Sequence, residues 1–231
     1  MIQGLGPIEE TKPIAIGDCL AWVTKDPRWL RALAIGSLWN LALVLLLPAV
    51  VLLGHGAQVL KASFRDERAT IPAWAPFGPL LLEGLRVLGI MAVHYLIAGA
   101  AIWGVLQGVT LPEPPAGDEA AILFIGAMFS VGGMALLAFW FFGLYVLTAV
   151  GRAVVLDRWT AGFEIVENLD FLRRNAGNYG RFVAIVVIVS TLLQLSPVLC
   201  CIGLFPAAFW MQCTMNYALG RLLASDPGLS S

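Results

Sequence analysis

Charge is what this sequence has least of. Only 13% of its 231 residues are Asp, Glu, Lys or Arg, whereas 59% are hydrophobic. A soluble domain ordinarily carries about 25% charged residues, so polar surface is too scarce here to clothe a water-facing core. Disorder requires low hydrophobicity and is excluded more firmly. The net charge of −1 supplies no basic field, and nucleic acid is not expected as a partner. Catalytic signatures are missing as well. The sequence has no Gly-x-x-x-x-Gly-Lys phosphate loop, no His-Glu-x-x-His zinc helix and no Gly-x-Ser-x-Gly nucleophile elbow. It holds two histidines and four cysteines, Cys19, Cys200, Cys201 and Cys213, with no Cys-x-x-Cys spacing. Neither a metal, a cofactor nor an enzymatic activity is expected.

The charges are swept out of four stretches. Ala32–Leu60 is free of them for about 29 residues, Val87–Pro112 for about 26, Ala120–Gly151 for about 32 and Phe182–Gly220 for about 39. A helix crosses a hydrocarbon core with about 20 apolar residues. Each of the first three runs therefore holds one span, and the fourth holds two, broken at Ser196–Pro197 and again at Gly203 and Pro206. That hairpin is expected over roughly 179–195 and 201–223. The runs are continuously apolar, which favours helices over the alternating strands of a barrel. The reading is an all-α polytopic membrane protein of about five hydrophobic segments: a cytoplasmic segment 1–31, an integral domain 32–224 and a short tail 225–231 expected to fray. Residues 14–29 mix apolar and charged types and suit a helix lying on the membrane surface. The first thirty residues carry Glu9, Glu10, Asp18 and Asp26 and do not read as a cleavable signal.

Basic residues set the orientation. Lys12, Lys25, Arg28 and Arg31 precede the first run, Lys61, Arg65, Arg68 and Arg86 follow it, and Arg152, Arg158, Arg173, Arg174 and Arg181 follow the third. The connection 111–119 has only Glu113, Asp118 and Glu119. Positive loops stay inside, which places the N-terminus and the basic connections in the cytoplasm and the chain in the cytoplasmic (inner) membrane. One run resists simple crossing. Both ends of Ala32–Leu60 are basic, yet it is too short to cross twice. A re-entrant pair of half-helices, or a pair of short helices, broken at Pro48 and at Gly54-His55-Gly56, reconciles the two facts; the alternative is a single kinked span.

Lys25-Asp26-Pro27-Arg28-Trp29-Leu30 leads into that run, which carries Gly36. A basic helix follows, then Ile71-Pro72-Ala73-Trp74 and Gly84-Leu85. This order, with Phe163, Asn175 and Tyr179 and the closing apolar hairpin, resembles the DUF4013 family of prokaryotic multi-pass membrane proteins. The resemblance implies fold and location; the family's activity is unknown. Ala73 and Ala75 stand where its tryptophan motif carries acids. On the residues alone, Pro72, Pro76 and Pro79 bar a continuous helix over 71–84, and Trp74 and Phe77 suit a headgroup-layer anchor.

No Asp, Glu, Lys or Arg is expected within a span, which disfavours a charge-driven pump. The candidate polar positions inside are His94, Thr191, Gln194, Gln212 and Asn216. Thr191 and Gln194 share one helical face and Gln212 and Asn216 another, so the hairpin offers either a polar stripe along a solute path or hydrogen bonds that glue helices together. Glu83 and Arg86 are spaced for an ion pair. Residues 157–174 alternate acids, arginines and apolar residues, suiting a partner or the bilayer surface. The reading is a non-catalytic scaffold or assembly module whose partners are the lipid bilayer and a protein partner or second copy of itself; the alternative is a small permease.

Overall fold

The computed structural model describes residues 13–42, 46–74, 76–108, 118–195 and 204–230. Among them there are helices and no strands. The order is α1 Ile16–Lys25, α2 Trp29–Leu41, α3 Leu46–Arg65, α4 Phe77–Gly108 and α5 Asp118–Val155, then a 3-10 turn Trp159–Phe163, α6 Ile165–Arg174, α7 Ala176–Leu195, α8 Leu204–Ala224 and the single turn α9 Pro227–Ser230. Four helices are long and apolar enough to cross a membrane, over Leu47–Arg65, Phe77–Gly104, Phe129–Val155 and Ala176–Leu195. The chain is an all-α polytopic membrane protein.

The first apolar run is two helices. α2 ends at Leu41 and α3 begins at Leu46, so the division falls earlier than the expected break. Pro48 is the third residue of α3, where its missing N–H leaves no helical bond unmade. Gly54, His55 and Gly56 lie in the middle of α3, and the helix runs straight through them. Gly54 serves an approach rather than a break. A Cβ on it would strike the Leu80 carbonyl oxygen of α4, and a Cβ on Gly84 would strike the Val50 carbonyl oxygen of α3. The two backbones cross in reciprocal contact, each glycine facing the carbonyl four residues before its partner. Cα–H groups so placed meet carbonyl oxygens directly, and small residues permit this closeness in membranes. Pro79 likewise falls in the first turn of α4 and does not bar it; the helix starts at Phe77, inside the segment expected to stay irregular.

The chain divides into two compact units, one comprising the residues up to Ile90 with Thr148 onwards, the other Met91–Leu147. In the first, α8 is the centre and packs against α1, α2, α3 and α7. Its Phe209 is fully buried, its ring set where a Cβ on Gly36 of α2 would otherwise lie. α8 carries Gln212, Asn216 and Arg221 and is sheltered by its neighbours, and most of the apolar length of α3 is buried too. The second unit holds residues 91–108 of α4 and 118–147 of α5. His94 and Tyr95 meet Tyr145, Phe142 and Phe139 across the pair, with ring centroids 5.7–6.0 Å apart. Leu96, Ile97, Phe129 and Leu136 stand exposed, as helices do when their solvent is hydrocarbon.

Candidate functional site

α1 stops at Lys25 because Asp26 precedes a proline, and such residues are driven out of the helical region; Asp26 is extended, at φ −74° and ψ 127°. Its carboxylate folds back to accept the Arg28 backbone N–H at 2.7 Å, and its carbonyl accepts that of Trp29 at 3.0 Å, which starts α2. The other carboxylate oxygen accepts the backbone N–H of Ile71 at 2.8 Å, 45 residues away. Arg28 completes the clasp, its guanidinium reaching the Ile71 carbonyl at 3.3 Å. Burial pushes the Asp26 carboxyl up, but the two peptide N–H groups and the Arg28 guanidinium outweigh it and hold it below the usual carboxylate value.

The two motifs read separately from the sequence thus meet. The elbow 69–74 is gripped from further sides. The Trp22 indole N–H donates to the Ala69 carbonyl at 2.7 Å, and His55 Nε2 lies 3.3 Å from the Pro72 carbonyl. A carbonyl only accepts, so Nε2 carries the proton. Trp74 stacks on His55 with centroids 4.0 Å apart and planes 15° apart, and packs against Phe209 and Trp39. His55 Nδ1 and Trp74 Nε1 are buried without hydrogen-bond partners among the described residues.

Gly56, Gln212 and Asn216 come together. Gln212 Nε2 donates to the Leu52 carbonyl of α3 at 2.6 Å, and Asn216 Nδ2 donates to the Gln212 carbonyl at 2.8 Å. Gly56 makes the room: a Cβ there would come within 2.8 Å of Asn216 Nδ2. The other polar candidates do not join them. Thr191 is exposed and donates to the Val187 carbonyl of its own helix, and Gln194 is exposed. The two glutamines expected at one depth therefore form no stripe, because Gln212 turns to α3 and away from its hairpin mate. His94 lies in the other unit, edge-on to Tyr145. Cys200 and Cys201 fall outside the described residues.

Residues that the sequence did not single out tie the same end of the unit. Arg152 is buried in the last turn of α5, inside a candidate span, and Lys61, Glu83, Arg86 and Arg181 also fall within candidate spans, which corrects the expectation that spans hold no charge. It donates to Oδ1 of the buried Asn168 side chain, and Nδ2 of the same side chain donates to the Ala161 and Gly162 carbonyls at 3.3 Å. Lys61 and Arg86 share Glu83 and Asp157, at 2.6–3.6 Å; the Glu83–Arg86 pair was legible from spacing, and its partners were not. Asn178 accepts the Ile14 backbone N–H and donates to Ser225. Asp226 is buried beside Arg174, so the tail expected to fray is tied down. Tyr217 donates to the Glu67 carbonyl at 2.9 Å and stacks on Trp22 at 4.5 Å. The Cys19 thiol beneath α1 is pushed by burial up to about 11, too high for a ready nucleophile. Among the described residues no three His, Cys, Asp or Glu are grouped to hold a metal ion.

Comparison with known proteins adds one finding. No curated protein and no solved structure matches the chain. The family description "Protein of unknown function (DUF4013)" matches residues 38–202. That stretch takes in Trp39, the α3–α4 crossing, His55, the Trp74 elbow and the Arg152–Asn168 bond. Covering well over half of the sequence, the match establishes that this chain belongs to the DUF4013 family.

Proposed function

We propose that this protein is a non-catalytic membrane scaffold or assembly module of the cytoplasmic membrane, whose cross-tied end faces the cytoplasm and receives a protein partner. One observation carries the reading: four segments outside the apolar helices are bonded into one platform. The N-terminal segment is tied to the elbow through Trp22–Ala69 and Asp26–Ile71. The 156–175 connection is tied to α3 and α4 through Asp157 and to the tail through Arg174–Asp226. The tail is tied to α7 through Ser225–Asn178. Conformational order of this kind is costly in free loops and suits a surface that must be presented in one shape.

The basic residues from Lys25 to Arg221 lie in or beside these segments, which supports a cytoplasmic orientation. On the platform α6 leaves Ile165, Val166 and Leu169 exposed beside Glu167 and Asp170, an apolar face with an acidic border. The polar interior groups Gln212 and Asn216 are engaged with backbone carbonyls, which supports packing over a solute path.

Purification from mild detergent tests this. A stoichiometric partner that is lost in V166D/L169D, with the melting temperature unchanged, supports the scaffold. Solute flux from purified protein in liposomes, abolished by Gln212→Leu, overturns it in favour of a permease.

A further inference from the structure

Beside the Asp26 clasp a cavity of about 260 Å³ opens between the first turns of α2 and the elbow. Arg28 and Arg31 line one part of it, Ala32 and Ile35 the next turn of α2, and Ile71–Trp74 the opposite wall. The lining is therefore graded. Two guanidinium groups stand where α2 begins, and within about 10 Å along the helix the wall becomes apolar.

The two arginines are not equivalent. Arg28 is held by Asp26 and the Ile71 carbonyl. Arg31 is exposed and has no carboxylate partner among the described residues, whereas Lys25, Lys61, Arg86, Arg158, Arg174 and Arg221 each have one. Asp26 is the carboxylate paired with Arg28 and does not line the cavity, so the charge of Arg31 is the one left over. Ala73, on the wall, brings no acid. The cavity thus has a net positive mouth, an apolar floor and a tryptophan at its side.

From this gradient we infer that the cavity is a binding site for one anionic phospholipid, its phosphate on Arg31 and Arg28 and its glycerol and upper acyl carbons against Ala32, Ile35 and Trp74. Guanidinium groups match phosphate oxygens in geometry as well as charge. Basic pockets between membrane helices on the cytoplasmic side hold lipid headgroups by this means. A free phosphate shares the arginine chemistry and has no use for the apolar floor, which is what selects the lipid.

The test uses the full chain in mild detergent with added dioleoyl phosphatidylglycerol, read by native mass spectrometry as the last lipid retained when collision energy rises. Retention is expected for the wild type and reduced about tenfold, the worth of roughly one charge-assisted contact, in both Arg31→Gln and Ala73→Glu. Neither side chain is part of the clasp, so thermal unfolding checks that both variants fold. Weaker retention of phosphatidylcholine, and no displacement by excess inorganic phosphate, are expected too. Equal retention in wild type and both variants overturns the site. Displacement by inorganic phosphate overturns the lipid and leaves a free-anion site.

Discussion

At the scale of single residues, Asp26 does more than its sequence position announces. A carboxylate that starts one helix and also satisfies a peptide 45 residues away cannot be replaced by a side chain with one acceptor. Asp26→Asn is expected to cost about 1–3 kcal/mol, the range for leaving a buried group unsatisfied, measured by thermal unfolding in detergent. The pH dependence follows from the lowered carboxyl. A group depressed in the folded state contributes fully above its ordinary value near 3.8, and that contribution is lost as pH falls through the lowered one. The gap between wild type and Asp26→Asn should therefore be constant at neutral pH and close in strong acid. A gap unchanged at the lowest pH would remove the carboxylate from the explanation. The glutamines make a second contrast. Gln212→Leu is expected to lose about 0.6–2 kcal/mol with its bond to α3, and Gln194→Leu, exposed on α7, essentially nothing. Equal losses would mean that Gln212 does not hold α3.

At the scale of helices, the glycines sort into two kinds that composition cannot distinguish. Gly54→Ala or Gly84→Ala sets a methyl group against a carbonyl oxygen of the crossing helix, so the helices must part, at a cost of about 1–3 kcal/mol for overpacking. Gly99→Ala meets nothing within 4 Å among the described residues and is expected to be neutral or better. Unfolding in mixed detergent checks the pair, and a destabilised Gly99→Ala with an indifferent Gly54→Ala would refute the crossing. This difference also shows where sequence reading stopped. The existence of the apolar helices was legible, because hydrocarbon demands long uncharged runs. Gly54-His55-Gly56 looked like a break because glycine is a poor helix former, and only the partner helix reveals why it is there. Pro48 and Pro79 misled for a related reason, since a proline in a first helical turn obstructs nothing. The site was legible as two motifs, Lys25–Trp29 and Ile71–Trp74, but their meeting was not, being a contact across two intervening helices. Arg152 and Asn168 left no signal at all: a lone arginine at the edge of an apolar run looks like any loop charge.

At the scale of the whole molecule, the bond between Asp26 and Ile71 sets the residues that flank the two ends of the first run against each other. α2, at 13 residues, spans about 20 Å and is too short to cross alone. Single cysteines at Arg68, Asp170 and Gly228, in a background free of other cysteines, are expected to react with an impermeant reagent from one and the same side of a vesicle. Labelling of any one from the opposite side would break the platform as a unit. The stacking of Trp22 on Tyr217, and the bond from Tyr217 to Glu67, 150 residues earlier in the chain, carry a consequence in time. Ribosomes add roughly 5–20 residues per second, so about 8–30 s pass between the synthesis of Glu67 and the arrival of its tyrosine. Until α8 is made, α1, α2 and α3 lack the helix that they pack against in the finished fold.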